Sequence, residues 1–197
     1  MSERLPESVV GFGAGLGLFV TYGVRSRYSI GPEGRWWEVL RRQLSRAGGV
    51  VDERLGPRPI TEAEYAGTLD MPPVLAEEFL WNRGFVRNPF SRLKLLDGTP
   101  EFGSWVYRGS WASFRQLHLM LFPAEAARTH VYAHEEASSV NPLVGNDHFD
   151  GNGQNVADGV SWARAVLPLD IRKEAPDPPE GPWSDSLVDA AERPSTQ

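Results

Sequence analysis

Arg115-Gln-Leu-His-Leu-Met-Leu-Phe122 and Thr129-His-Val-Tyr-Ala-His-Glu-Glu136 are the two segments whose reading decides the fold. Each alternates with a period of two, which is the pattern of a strand with one aliphatic edge and one polar or aromatic edge. In the first, Leu117, Leu119 and Leu121 point one way while Gln116, His118 and Met120 point the other. In the second, Val131 and Ala133 share a face, and His130, Tyr132, His134 and Glu136 share the opposite one. The six residues from Pro123 to Arg128 are few enough for a hairpin loop. Pairing the strands places three of the four histidines on one face of one hairpin.

Upstream, Ser91 to Leu96 sets Leu93 and Leu95 against Arg92 and Lys94. Asp97-Gly98 is a turn signal, and Ser104 to Arg108 is the next strand. Four consecutive strands with short links predict an antiparallel meander. Its aliphatic face is Leu93, Leu95, Val106, Leu117, Leu119, Leu121, Val131 and Ala133. Burial of that face stabilises by roughly 1.5–3 kcal/mol for each large side chain. The opposite face carries Trp105, Tyr107, Gln116, His118, Met120, His130, Tyr132 and His134, which suit neither open solvent nor an aliphatic core. Something is expected to cover it.

Helical spacing appears in three places. Gly31-Pro-Glu-Gly34 followed by RWWEVLRRQLSRAGG predicts a helix with Trp36 or Trp37, Leu40 and Leu44 on one side and Arg41, Arg42 and Arg46 on the other. It either packs on the domain or lies beside a membrane with tryptophans at headgroup level. After a short strand over Glu64 to Leu69, Asp70-Met-Pro-Pro73 predicts a helix start with Asp70 as N-cap. That helix runs to about Arg83, with Leu75, Phe79 and Leu80 inward. Gln154 to Leu167 is the third, ended by Pro168. The expected fold class is α+β: a four-stranded antiparallel sheet with helices on one face, preceded by a single N-terminal apolar helix.

That apolar element is Ser8 to Val24, 17 residues without a charge, at the lower limit for a helix crossing a bilayer. Gly11/Gly15 and Gly13/Gly17 are small-residue pairs suited to close helix contact. A buried glycine-rich element is the alternative. A signal peptide fits poorly, because the start carries two acids and no net positive charge. Arg25, Arg27 and Arg35 follow the run and Arg4 precedes it, which orients the main domain to the cytoplasm as a single-pass protein; a soluble cytoplasmic protein is the alternative. The division expected is 1–30 as membrane anchor, 31–172 as the α+β domain and 173–197 as a disordered acidic, proline-rich tail.

Cysteine is absent, which excludes disulfides, thiolate metal sites and a cysteine nucleophile. The net charge of −6 disfavours a surface built to hold nucleic acid. Stacking of bases on Trp105, Tyr107 and Tyr132 is therefore the lesser reading of that face.

For the histidines, a metal site is the sharpest hypothesis. His130 and His134 are too far apart along one strand to share an ion, whereas the loop length sets His118 across from about 132 to 134. Glu136 or His148 then completes a ligand set, so the metal candidates are His118, His134 and His148. Acid–base catalysis by the same cluster is conceivable, with candidates His118, His134 and Glu136, although no HExxH or GxSxG motif accompanies it. The bland alternative is a set of hydrogen-bonded sheet histidines. Asp150-Gly-Asn152-Gly-Gln154 begins like a calcium loop but fails at its sixth and twelfth positions, Asn155 and Ser161.

The stretches GLGLFVTYGVRSRYSIGPEGRWWEVL, GSWVYRG, RQLHLMLFP and VYAHEEASSVNP resemble conserved haloarchaeal proteins of unknown function, over about residues 8 to 170. The 18 arginines among 20 basic residues accord with this. The resemblance implies no activity, cofactor or catalytic residue. The functional expectation is a membrane-associated interaction or accessory protein. It engages the membrane through Ser8 to Val24 and a protein partner through Trp105, Tyr107, His118, His130, Tyr132 and His134. The alternative is a histidine-dependent hydrolase or nuclease, with or without metal assistance.

Overall fold

The computed structural model describes residues 30–51, 56–88, 91–110, 112–141, 143–144, 148 and 153–171. The apolar run 8–24 and the tail 173–197 lie outside them. Among the described residues, no helix is long and apolar enough to cross a membrane.

In chain order, a 3₁₀ turn at Pro32–Arg35 leads into α1 (Trp36–Val51), followed by β1 (Arg58–Pro59) and β2 (Tyr65–Leu69). Then come α2 (Pro73–Asn82), β3 (Val86–Arg87), β4 (Lys94–Leu96), β5 (Thr99–Pro100) and β6 (Gly103–Tyr107). The hairpin β7 (Arg115–Ala124) and β8 (Arg128–Ala137) precedes α3 (Val156–Val166). The fold class is α+β, as expected.

The hairpin forms over its whole length, with Arg115 opposite Ala137, His118 opposite His134 and Ala124 opposite Arg128. The sheet around it has five strands rather than four, in the order β2-β8-β7-β6-β3. β4, expected in this sheet, belongs to a separate three-stranded one, parallel to β1 and antiparallel to β5. The edge of β6 is instead taken by β3, with Arg87 opposite Trp105. Arg87 is fully buried there because Glu77 and Glu38 both pair with it at 2.9 Å. No periodicity in so short a strand announces this contact.

β6 also enters one residue out of the expected phase. Trp105 lies opposite Leu119 and Tyr107 opposite Leu117, while Ser104 lies opposite Met120. Trp105 and Tyr107 therefore join the aliphatic layer rather than the histidine face. Trp105 donates through Nε1 to Glu77, and Tyr107 packs edge-on against Trp162.

The aliphatic layer is covered by α2 through Ala76, Leu80 and Trp81 and by α3 through Val160 and Ala163. Pro72, not Asp70, occupies the N-cap of α2, and Leu75 is exposed. Gly159 seats α3 directly on the sheet, because a Cβ at that position would collide with the backbone of His134 and Glu135.

The small sheet and the segment before β2 provide the cover expected on the histidine face. Ile60, Tyr65 and Leu96 pack with Met120, Phe122 and Tyr132 in a second apolar cluster. α1 lies nearby with its sides exchanged from the expected arrangement: Glu38, Arg41 and Ser45 are buried, whereas Trp36 and Leu40 are exposed.

Candidate functional site

His118 and His134 occupy directly opposed positions at the centre of the hairpin, and both are 0% exposed. Two residues further along β8, the strand period returns Glu136 to the same face. His148, carried by the connection between β8 and α3, reaches the Glu136 carboxylate from outside the hairpin. His118, His134 and Glu136 converge closely, and His148 touches the carboxylate. His118 Nδ1 faces His134 Nε2 at 3.1 Å and Glu136 Oε1 at 3.3 Å. His134 Nε2 stands 3.3 Å from Glu136 Oε2, and His148 Nδ1 stands 3.3 Å from Glu136 Oε1.

Proton positions follow from the partners on the far side of each ring. His134 Nδ1 lies 2.8 Å from Glu64 Oε1. Burial works to raise Glu64, but the hydrogen bonds from His134 and the Thr61 backbone outweigh it and hold the carboxyl below its ordinary value. An ionised carboxylate only accepts, so His134 carries its proton on Nδ1. His118 Nε2 lies 2.7 Å from Ser104 Oγ, which is 2.8 Å from Ser91 Oγ. Ser91 Oγ in turn donates to the Asn88 carbonyl at 3.2 Å. Read from that carbonyl backwards, the chain of donors puts the His118 proton on Nε2.

Both histidines thus keep a proton outward; neutral His118 turns the lone pair of Nδ1 inward, and His134 Nε2 faces both that lone pair and the Glu136 carboxylate. With its proton on Nδ1 alone, His134 Nε2 has no hydrogen bond to His118 Nδ1 3.1 Å away, whereas a second proton, or a metal ion, at Nε2 joins it to His118 and Glu136. Gln154 Nε2, the nearest amide donor to His134 Nε2, is 3.4 Å away, long for such a bond.

Electrostatics follow from burial. Burial lowers the His118 pKa to about 4, against the pull of Glu136, so its ring is neutral near pH 7. Burial also works to raise Glu136, yet His148 and His118 hold it well below the usual carboxylate range. For His134, burial is outweighed by the hydrogen bonds to Glu136 and Glu64, and the ring's pKa is raised. Gln116 fixes Glu136 by donating to Oε1 at 2.7 Å, while its own Oε1 accepts from Arg108 and Ser139. Lys94 of β4 is buried in the field of Glu136, Glu101 and Glu64, and burial lowers its pKa.

His118, His134 and Glu136 are therefore brought together, and His148 joins them through the carboxylate. His130 is elsewhere, opposite Phe122, with its Nδ1 2.9 Å from Thr68 Oγ1. Tyr132 shares the histidine face but donates to Glu62 at 3.0 Å. The outer partners Glu64, Ser104 and Gln154 escaped the sequence reading. For Glu64 a signal exists: Thr61-x-x-Glu64 is a capping box, and it forms, closing the turn that aims the carboxylate at His134.

One oxygen or nitrogen from each of His118, His134 and Glu136 lies within 4.8 Å of the others, a set able to hold a metal ion. No family model matches the sequence, and searches of curated proteins and of solved structures find no match either.

Proposed function

We propose that the chain is a non-catalytic accessory module organised around one divalent transition-metal ion, zinc first, held by His118, His134, Glu136 and His148. The observation that carries this reading is the convergence of His118 Nδ1, His134 Nε2 and the Glu136 carboxylate at 3.1–3.3 Å from one another, with His148 Nδ1 3.3 Å from that carboxylate. A tetrahedral ion with ligands at about 2.0–2.1 Å separates them by roughly 3.3–3.4 Å. The outer partners have the required chemistry. Glu64 behind His134 is the carboxylate–histidine arrangement that fixes a ligand's tautomer and strengthens its basicity. Glu136 and Glu64 together would bring two negative charges to a dication.

Burial supports a structural ion over a catalytic one. A catalytic zinc keeps a position open to water or substrate, whereas both histidines here are wholly enclosed. The hydrolase or nuclease reading draws no support from this geometry.

The test is zinc binding by competition with a chromophoric chelator, on protein purified without a histidine tag. One zinc per chain is expected, with binding lost in His118→Ala and in His134→Ala. His130→Ala should retain it, because His130 bonds to Thr68. Equal binding by the paired His118→Ala/His134→Ala variant and the parent overturns the proposal. Zinc-restored hydrolysis of a model phosphodiester would instead favour the enzyme.

A further inference from the structure

α1 is amphipathic and packs with its polar side inward. Glu38 and Arg41 pair with each other beneath it, Arg87 Nη1 donates to Glu38 at 2.9 Å and Arg41 Nη1 to Glu101 at 2.7 Å. Arg41 Nη1 also donates to Ser91 at 3.0 Å, and Ser104 N donates to Glu38. These partners fix the helix's rotation, since turning its apolar side inward would leave Glu101 buried without Arg41 and take from Arg87 one of its two carboxylates, Glu77 remaining. Trp36, Val39 and Leu40, spaced as neighbours on one helical face, consequently stand 52%, 49% and 37% exposed.

We propose that this face rests on an anionic lipid surface. A tryptophan with aliphatic neighbours on a helix lying flat matches the chemistry of the headgroup boundary. The chain that precedes the described residues supports this occupant. The uncharged run Ser8 to Val24 ends six positions before Ile30, and six residues span at most about 20 Å. A run seated in lipid would therefore hold Ile30, six positions before α1, within about 20 Å of the same surface. Arg25 and Arg27 in the link supply positive charge in the sequence beside the run, although the whole chain is acidic at −6, while Arg35 is paired with Glu77. This inference is independent of the metal.

The chain has no cysteine, so Val39→Cys in the full chain carries a single polarity-sensitive fluorophore. Vesicles of phosphatidylcholine with phosphatidylglycerol are the probe, with Val74→Cys, on the exposed start of α2, as reference. On adding vesicles, the label at 39 should shift to the blue, brighten severalfold and become quenched by lipid-borne nitroxide, while the label at 74 should not. Trp36→Asp with Leu40→Asp, at exposed positions that leave the fold intact by circular dichroism, should remove the response. The proposal is overturned if iodide quenches the label at 39 equally with and without vesicles. It is also overturned if that label is already shielded before vesicles are added. Shielding that then rises with protein concentration identifies a second copy, and shielding that does not identifies the chain's own apolar run.

Discussion

At the scale of single residues, His134 is the position where the hairpin, the capping-box turn and the ligand set meet. Its Nδ1–H is held by Glu64 and its Nε2 is left to the centre. Glu64→Ala removes that acceptor and leaves a buried donor without its partner. Zinc affinity should fall by about 10–100-fold, and unfolding free energy by about 1–3 kcal/mol, read from chelator competition and urea titration on one preparation. Glu64→Gln, whose amide oxygen still accepts, should retain most of both. The pairing of His118 with His134 is legible in the sequence because the six residues between the two alternating segments leave room only for a tight turn, which closes over Glu125–Ala127. Ser104 is not, because its contact depends on the phase of β6, and a one-residue slip exchanges the two faces of a strand. The same slip moves Trp105 and Tyr107 to the aliphatic layer.

At the scale of elements, the placement of α3 and α1 decides whether the centre is preserved. Gly159 lets α3 touch the backbone that carries His134. Gly159→Ala must push the helix away, costing about 1–3 kcal/mol, and should weaken zinc binding without removing any ligand. Thermal denaturation and zinc titration test both effects together. For α1, Arg41→Met leaves Glu38 and Glu101 facing one another underneath, a loss of about 3–5 kcal/mol, measured in urea.

Glu38 gives this element a pH dependence. Burial raises its carboxyl, but Arg41 and Arg87 outweigh burial and depress it below the ordinary glutamate value. Its contribution is therefore present above the unfolded pKa and lost as pH falls through the depressed folded value. Glu101, raised by burial despite Arg41, acts in the opposite sense. Glu38→Gln should flatten the acid-side loss of stability, measured as urea midpoints from pH 6 downward, in the range set by an ordinary glutamate pKa of about 4.3. The helical period of α1 is legible in the sequence, but its inward side is not. Helical periodicity identifies an apolar stripe without saying which side is buried, and here buried arginines and glutamates settle it.

At the scale of the whole molecule, the five-stranded sheet divides an aliphatic core under α2 and α3 from a polar interior under the small sheet. The α+β class and the long hairpin follow from local alternation. The second sheet does not, since β1, β4 and β5 are two or three residues each and are held by tertiary contacts. A metal at the heart of the polar interior stabilises the folded state by mass action. Chelation should therefore lower the thermal midpoint of the parent protein and leave that of His118→Ala/His134→Ala unchanged.

The most direct measurement is an anomalous difference map at the zinc edge, from crystals of the full chain saturated with zinc. The account predicts one peak at about 2.0–2.1 Å from His118 Nδ1, His134 Nε2, a Glu136 oxygen and a His148 nitrogen. Zinc-saturated crystals with no peak among these four side chains would contradict it and leave a proton, not a metal, between the two imidazoles.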